Sequence, residues 1–359
     1  MPKRHLVIVL LMLASAAGAV GSRAASLERW LRDLESEDPL VRAEAACRIG
    51  ELESRGVSAI PALVELLAED VPFRVTKRSG CLGDHGFWGG DRERSVGEEA
   101  AGALADIGKA SFDPLVRAIE GPSWVARKNA ALALGSLDDR RAVPPLIQHL
   151  TEESSRVRAQ SAWALGALEA REAEGPLAAA LGDEDTVVRE QSAWALGAIE
   201  SKAAVQPLGK ALSDPEAVVR EQAAWALGAI GAASAVESLA RALKDESAEV
   251  REQAAWALGA IGGEAGTGAL SAALGDESSD VREQAAWALG AIGDRRGVEA
   301  LLGALKDENA DVREQAAWAL GAIGSSDSRA LSALTVALKD ESADVREQAA
   351  WALGVLTQE

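Results

Sequence analysis

A tryptophan stands at positions 163, 194, 225, 256, 287 and 318, each 31 residues after the last, inside a string that barely departs from VREQAAWALGAI. A fixed interval of this length marks a solenoid, because one unit cannot bury its apolar face alone and must stack on its neighbours. The string has helical rather than strand periodicity. At about 100° per residue, Val188, Ser192, Ala195, Leu196 and Ile199 share one stripe of small and branched side chains, the expected core face. Glu190, Gln191 and Trp194 fall together on the other side, so the bulkiest apolar side chain of the unit keeps company with its most polar ones.

The same triplet recurs as Glu221, Gln222 and Trp225; Glu252, Gln253 and Trp256; Glu283, Gln284 and Trp287; Glu314, Gln315 and Trp318; and Glu347, Gln348 and Trp351, with Trp163 one unit earlier. Helices stacked about 8–10 Å apart turn these into columns, and seven rings from Trp163 to Trp351 span roughly 60 Å. A partner for such a face is extended or large. A ring at a helix seam also has room to lie across the neighbouring unit beside residues like Ala195 and Ala198, so packing and binding both stay open.

Ahead of each of these helices runs a shorter apolar pattern, as with Val236, Leu239 and Leu243, which predicts the first helix of a hairpin. Pro61, Pro114, Pro145, Pro176 and Pro207 sit near the starts of five such helices, where a missing N–H costs nothing. Asp183, Asp214, Asp245, Asp276, Asp307 and Asp340 are expected to cap the second helix. Gly231, Gly262, Gly293 and Gly324 are expected to close it in a left-handed turn. Six residues after each aspartate comes an arginine (Arg189, Arg220, Arg251, Arg282, Arg313, Arg346) at the border of the core stripe. An Asp–Arg column joining successive units is the natural reading.

The pattern AVxPLxxAL, an acidic turn, then VRxxAAxALGxIG resembles the HEAT-like repeat of the phycobilisome-lyase type over residues 26 to 359. The resemblance implies an all-α, right-handed solenoid of about ten antiparallel helix pairs. It is unspecific for function: families with such repeats include chromophore lyases, a di-iron hydroxylase of a modified lysine, DNA glycosylases and many scaffolds. In designed proteins of this class the second-helix surface is concave and binds, which by resemblance places the Glu, Gln and Trp columns on a concave face.

Walking back from Trp163, the tryptophan position is taken by Leu132, Gly102 and Cys47, giving ten hairpins. The anomalous interval of 55 residues between Cys47 and Gly102 marks an insertion at about 71–95 in the second hairpin, with five glycines, a net positive charge, Phe73, Phe87, Trp88, Cys81 and His85. A flap covering the face or touching a partner is expected there. Cys81, Asp84 and His85 do not complete a tetrahedral metal set, so no metal or other cofactor is expected.

Residues 1–24 read as a secretory signal, with Lys3 and Arg4 before the apolar run from Leu6 to about Ala17 and small residues at Ala17 and Ala19. The mature solenoid is then 25–359, periplasmic or secreted, without stable membrane insertion; an uncleaved signal serving as an anchor is the alternative. In an oxidising compartment Cys47 and Cys81 are candidates for a disulfide. Removal of Lys3 and Arg4 takes the formal charge from −19 to −21, which excludes a phosphate backbone as partner.

Chemistry is not evident. The three histidines form no His–Glu pairs, and no His–Glu-x-x-His helix, phosphate loop or serine elbow is present. No catalytic residue is assigned and the chain is expected not to be an enzyme; a lyase activity rests on family analogy alone. The leading expectation is an exported scaffold whose Trp/Glu/Gln face holds a protein or peptide segment, basic or proline-containing first, with a glycan as the alternative. A self-assembling solenoid, stacking through an open C-terminal end, is the other reading.

Overall fold

In the computed structural model the described residues are 26–73, 81–84, 94–324 and 327–357. They form ten helical hairpins. The first joins a helix over 26–33 (α1) to Pro39–Gly50 (α2); the second joins Ile60–Leu66 (α3) to Val96–Ile107 (α5) across the insertion, which holds the single turn Cys81–Asp84 (α4). There follow Phe112–Ile119 and Trp124–Ser136 (α6, α7), Val143–Gln148 and Ser155–Ala167 (α8, α9), and Glu174–Ala180 and Thr186–Ala198 (α10, α11). Val205–Ala211 and Ala217–Ile230 (α12, α13), Val236–Ala242 and Ala248–Ile261 (α14, α15), and Thr267–Ala273 and Ser279–Ile292 (α16, α17) come next. Val298–Ala304 and Ala310–Ile323 (α18, α19), then Ser328–Ala337 and Ala343–Leu356 (α20, α21), complete the series. The chain divides into two compact units after Leu168.

In the C-terminal unit each first helix packs on its own second helix, and the second helices α11, α13, α15, α17, α19 and α21 pack on one another in sequence order. The N-terminal unit repeats this with α2, α5, α7 and α9. The core follows the wheel: Val188, Ser192, Ala195, Leu196 and Ile199 are all buried, and Leu208, Leu239, Leu270, Leu301 and Leu334 of the first helices are wholly so. Alanine makes the close stacking possible. Ala223, Ala224 and Ala226, like their equivalents one and two units on, expose nothing, and a methyl side chain lets neighbouring helix backbones approach closely at little cost in side-chain entropy.

The five prolines lie in the first turns of their helices, as expected. The second helices of the later hairpins end on glycines, with Gly231, Gly293 and Gly324 in the expected left-handed turn; Gly262 departs from it, with positive φ but an extended ψ of −169°, and Asp138, Glu169 and Glu200 stand at the corresponding position, near φ 50°, in the earlier hairpins.

The start signals need correction. Asp183, Asp214, Asp245, Asp276, Asp307 and Asp340 do not cap the second helices. The N-cap falls two residues later, at Asp185, Glu216, Ser247, Ser278, Asn309 and Ser342. The earlier aspartates instead accept the N–H two residues on, as Asp245 does from Ser247 and Asp276 from Ser278, both at 2.9 Å. That short turn leaves both carboxylate oxygens facing the preceding hairpin, where an arginine takes them. Arg220 places Nε on Asp245 Oδ2 and Nη2 on Asp245 Oδ1, both at 2.8 Å, while its Nη1 bonds the carbonyls of Asp214 and Pro215 in its own turn. Arg189–Asp214, Arg251–Asp276, Arg282–Asp307 and Arg313–Asp340 repeat the fork. The expected column is there, and a planar guanidinium suits it because one edge serves each hairpin.

In the N-terminal unit the insertion is closed by a two-residue antiparallel stem pairing Pro72–Phe73 (β1) with Arg94–Ser95 (β2). Cys81 is bonded to Cys47 of α2, with the Cα atoms 6.0 Å apart, so α4 is fixed to the first hairpin. Arg94 adds a 2.7 Å bridge to Glu99 and a bond to the Leu82 carbonyl. Phe87, Trp88 and His85 lie outside the described residues.

Candidate functional site

Each Trp–Glu–Gln triplet falls outside the fully buried stripe of its second helix. What a wheel cannot assign is the direction in which the ring leans. In the structure it leans onto the preceding hairpin. A Cβ built on Gly197, Gly228, Gly259, Gly290 or Gly321 would lie 2.6–2.7 Å from Cζ3 of Trp225, Trp256, Trp287, Trp318 or Trp351 respectively, and 2.8–2.9 Å from the Cα of the alanine that follows the ring. Gly135 and Trp163 make the same pair in the N-terminal unit. The glycine of the ALG triplet, to which sequence reasoning assigned no role, is therefore the ring's counterpart. Its signal was there to read, since a glycine inside a helix costs about 1 kcal/mol relative to alanine and one kept through eight units needs a packing reason.

The rings are consequently half-buried, not free: Trp163, Trp194, Trp225, Trp256, Trp287 and Trp318 are all intermediate in exposure, and Trp351 alone among the seven is exposed, at 45%. Where tryptophan is missing, Cys47 is buried in its disulfide and Leu132 is packed to 7% exposure, whereas Gly102 is exposed.

Beside the rings runs an uncompensated acidic strip. Glu190, Glu221, Glu252, Glu283 and Glu314 are half-buried, and no ion pair involving them is found among the described residues. Burial lifts the Glu252 carboxyl above the usual carboxylate range, and the negative charges of Asp280, Glu221 and Glu249 lift it further. Glu283 is raised by burial, then by Asp311, Asp280, Glu252 and Glu314. Burial likewise leads for Glu190, Glu221 and Glu314, reinforced by Glu221, by Glu249, and by Asp344, Asp311 and Glu347 respectively. The strip thus has two rows, the Glu column and the acids at 249, 280, 311 and 344 in the first turns of the following second helices. Like charges half-withdrawn from water raise one another's pKa, and a cation placed between them relieves both costs.

The glutamines are half-buried next to the rings, and Gln253 Oε1 is buried without a hydrogen-bond partner. A buried acceptor left unpaired costs free energy that a ligand donor would recover. The N-terminal unit does not continue the acidic row. Its equivalent positions are Glu98, Lys128 and Ala159, and Lys128 Nζ neutralises Glu98 at 3.2 Å.

Among the described residues no grouping of histidine, cysteine, aspartate and glutamate could hold a metal ion, and no helix is long and apolar enough to cross a membrane.

Stacked two-helix units with a buried Asp–Arg column define an all-α solenoid repeat protein. Models of HEAT repeats match residues 90–166, 143–228, 205–272 and 267–354, so the chain belongs to the HEAT repeat family. No curated protein matches it. Similar solved structures include an engineered protein (24% identity, 92% of this chain and 99% of that one, TM-score 0.51) and the Escherichia coli protein YibA (22%, 76% and 100%, 0.54). Kap95p, solved bound to RanGDP, is similar over 100% of this chain and 54% of its own, at 15% identity and TM-score 0.66. This chain therefore spans about half the length of Kap95p. At these identities the likeness concerns the fold.

Proposed function

We propose that this HEAT repeat protein is an exported, non-enzymatic scaffold that holds an extended cationic protein segment along the second-helix face of its C-terminal unit. The observation that carries the reading is the half-buried glutamate column with no cation of its own, flanked by tryptophan rings. A lysine or arginine laid between Glu221, Glu252 and Glu283 would offset their mutual repulsion and stack on Trp225, Trp256 or Trp287, an arrangement worth about 1–2 kcal/mol per contact when partly desolvated. The unpaired Gln253 oxygen adds an acceptor for a backbone N–H of the segment. Kap95p, a solenoid of this fold, binds a protein partner, which supports the class of partner. Export rests on residues 1–24 and agrees with the Cys47–Cys81 bond.

The test is a calorimetric titration with a peptide alternating lysine and proline, against a glutamate–proline peptide and a neutral oligosaccharide. The first should bind, more weakly with added salt, and the triple change Glu221→Gln, Glu252→Gln, Glu283→Gln should weaken it by about tenfold or more, equivalent to about 1.4 kcal/mol. Binding of the oligosaccharide alone would favour a glycan. Binding indifferent to the triple change would remove the basis of the proposal. Export is checked separately by sequencing the N-terminus of the protein from the fractionated compartment.

A further inference from the structure

The first turns of the second helices in the C-terminal unit carry a row of exposed side chains that changes chemistry partway along. Its members are the second residues of α11, α13, α15, α17, α19 and α21: Val187, Val218, Glu249, Asp280, Asp311 and Asp344. All six are exposed, the valines at 51% and 45%. At about 100° per residue this place falls between the tryptophan and the glutamine of the same helix, so the row belongs to the face that carries the rings. An acid here is what local physics favours, because the first turn of a helix presents unpaired N–H groups and the positive end of its dipole. Valine forgoes that gain, is a poorer helix former than glutamate, and at these exposures recovers little by packing. The pair on adjacent helices is an apolar patch open to water. The change also alters what the glutamate strip faces. Glu249 stands alongside Glu221 and Asp280 alongside Glu252, each adding its negative charge, whereas the corresponding neighbour of Glu190 is Val218. The surface around Trp194 is therefore poor in charge, and that around Trp256 and Trp287 is rich in it.

Resting on the reading of this face as the seat of an extended cationic segment, we infer that the segment has two blocks: apolar side chains that settle on Val187 and Val218 beside Trp194, then lysine or arginine side chains over Glu252, Glu283, Asp280 and Asp311. Apolar contact and charge act at opposite ends of the face, so the segment lies in one fixed direction, which a uniformly cationic segment does not. Successive helices lie about 8–10 Å apart and an extended chain advances about 3.3 Å per residue, so each hairpin is met about once every three residues. The partner is accordingly a peptide segment with two apolar residues about three apart and a run of cations at the same interval. Burial of the apolar side chains removes both their surface and that of the two valines from water.

The experiment is a calorimetric titration with glycine–serine peptides that carry, at every third residue, two leucines and then three lysines, the same series in reverse order, or the lysines with serine in place of both leucines. The alternating lysine–proline peptide is titrated alongside them. In one of its two chain directions the leucine peptide should bind about tenfold more tightly than its serine counterpart, equivalent to about 1.4 kcal/mol, and that margin should persist in added salt, because it is not electrostatic. The paired change Val187→Asp, Val218→Asp should abolish the margin while the serine peptide binds as tightly as before or more so. Aspartate suits a first turn, and circular dichroism should show the variant folded. Equal binding of the leucine and serine peptides, or a margin that survives the paired change, would overturn the inference and leave the cationic reading standing. Failure of every lysine peptide to bind, the lysine–proline one included, would overturn both.

Discussion

Replacing Gly259 by alanine tests the seam between hairpins most directly, because local and tertiary physics give it opposite signs. Judged as a helix position, the change should stabilise by about 1 kcal/mol, since glycine is the poorer helix former. In the structure the new methyl would stand 2.7 Å from Trp287 Cζ3 and 2.9 Å from both Cα and Cβ of Ala288. Two of those neighbours belong to the backbone-proximal part of α17, which cannot rotate away, so the helices must separate; forcing a methyl into a packed seam costs typically about 1–3 kcal/mol. Set against the gain of about 1 kcal/mol, the net expectation is a loss of up to about 2 kcal/mol. Gly303, in the first helix α18 with nothing within 4 Å of its Cβ position, is the matched control, and Gly303→Ala should gain about 0.5–1 kcal/mol. Equilibrium urea unfolding of both variants, followed by circular dichroism and tryptophan emission, gives the two signs. If Gly259→Ala stabilises as Gly303→Ala does, the ring is not seated on the preceding helix and the account of the seam is wrong.

Trp256→Ala should destabilise by about 2–3 kcal/mol, below the range for a fully buried tryptophan because the ring is half-exposed, and Trp351→Ala should cost less than half as much because that ring is 45% exposed; equal losses in thermal unfolding would contradict the packing described. Two sets of carboxylates pull the pH dependence in opposite directions. Bonds from Arg282 hold Asp307 below its ordinary value despite burial, and Arg313 does the same for Asp340, so their contribution is present above the unfolded-state pKa and is lost as pH falls through the depressed folded one. Burial and neighbouring acids raise Glu252 and Glu283, so ionising them opposes folding and stability should increase as pH drops from neutral through their raised pKa. The melting temperature should therefore rise as pH falls from 7 toward the ordinary carboxylate range of about 4 and decline below it; a steady fall from pH 7 downward would show that the glutamate strip is not strained. Glu200, at φ 51°, occupies the position that glycine takes in later hairpins, and Glu200→Gly should raise stability by about 0.5–1 kcal/mol in the same urea assay; a loss would mean the side chain makes a compensating contact.

Much of this molecule is legible one hairpin at a time. The 31-residue interval, the stripe from Val188 to Ile199, the first-turn prolines and the closing glycines each follow from rules acting within a few turns of helix, and the structure repeats them. The acidic column is equally visible on a wheel, because Glu190 and its equivalents share an angle whatever lies beyond. The raised carboxyls are not visible there, because they depend on acids brought alongside from the next hairpin, such as Asp280 beside Glu252. The aspartates were misread for a related reason. Asp245 and Ser247 are both good cap residues by local preference, and the choice between them falls to Arg220, which draws Asp245 out to serve the neighbouring hairpin.

The sequence by itself determined that the chain is a stack of helical hairpins, which side chains of each face inward, and that Asp and Arg link successive units. Only the tertiary structure decided that the tryptophans at 163, 225, 256, 287, 318 and 351 lie over the glycine of the hairpin before them, and that the glutamates beside them find no ion-pair partner among the described residues. The physical reason is that a helical wheel fixes where a side chain leaves its own helix, whereas burial, pairing and charge compensation belong to the interface with the next.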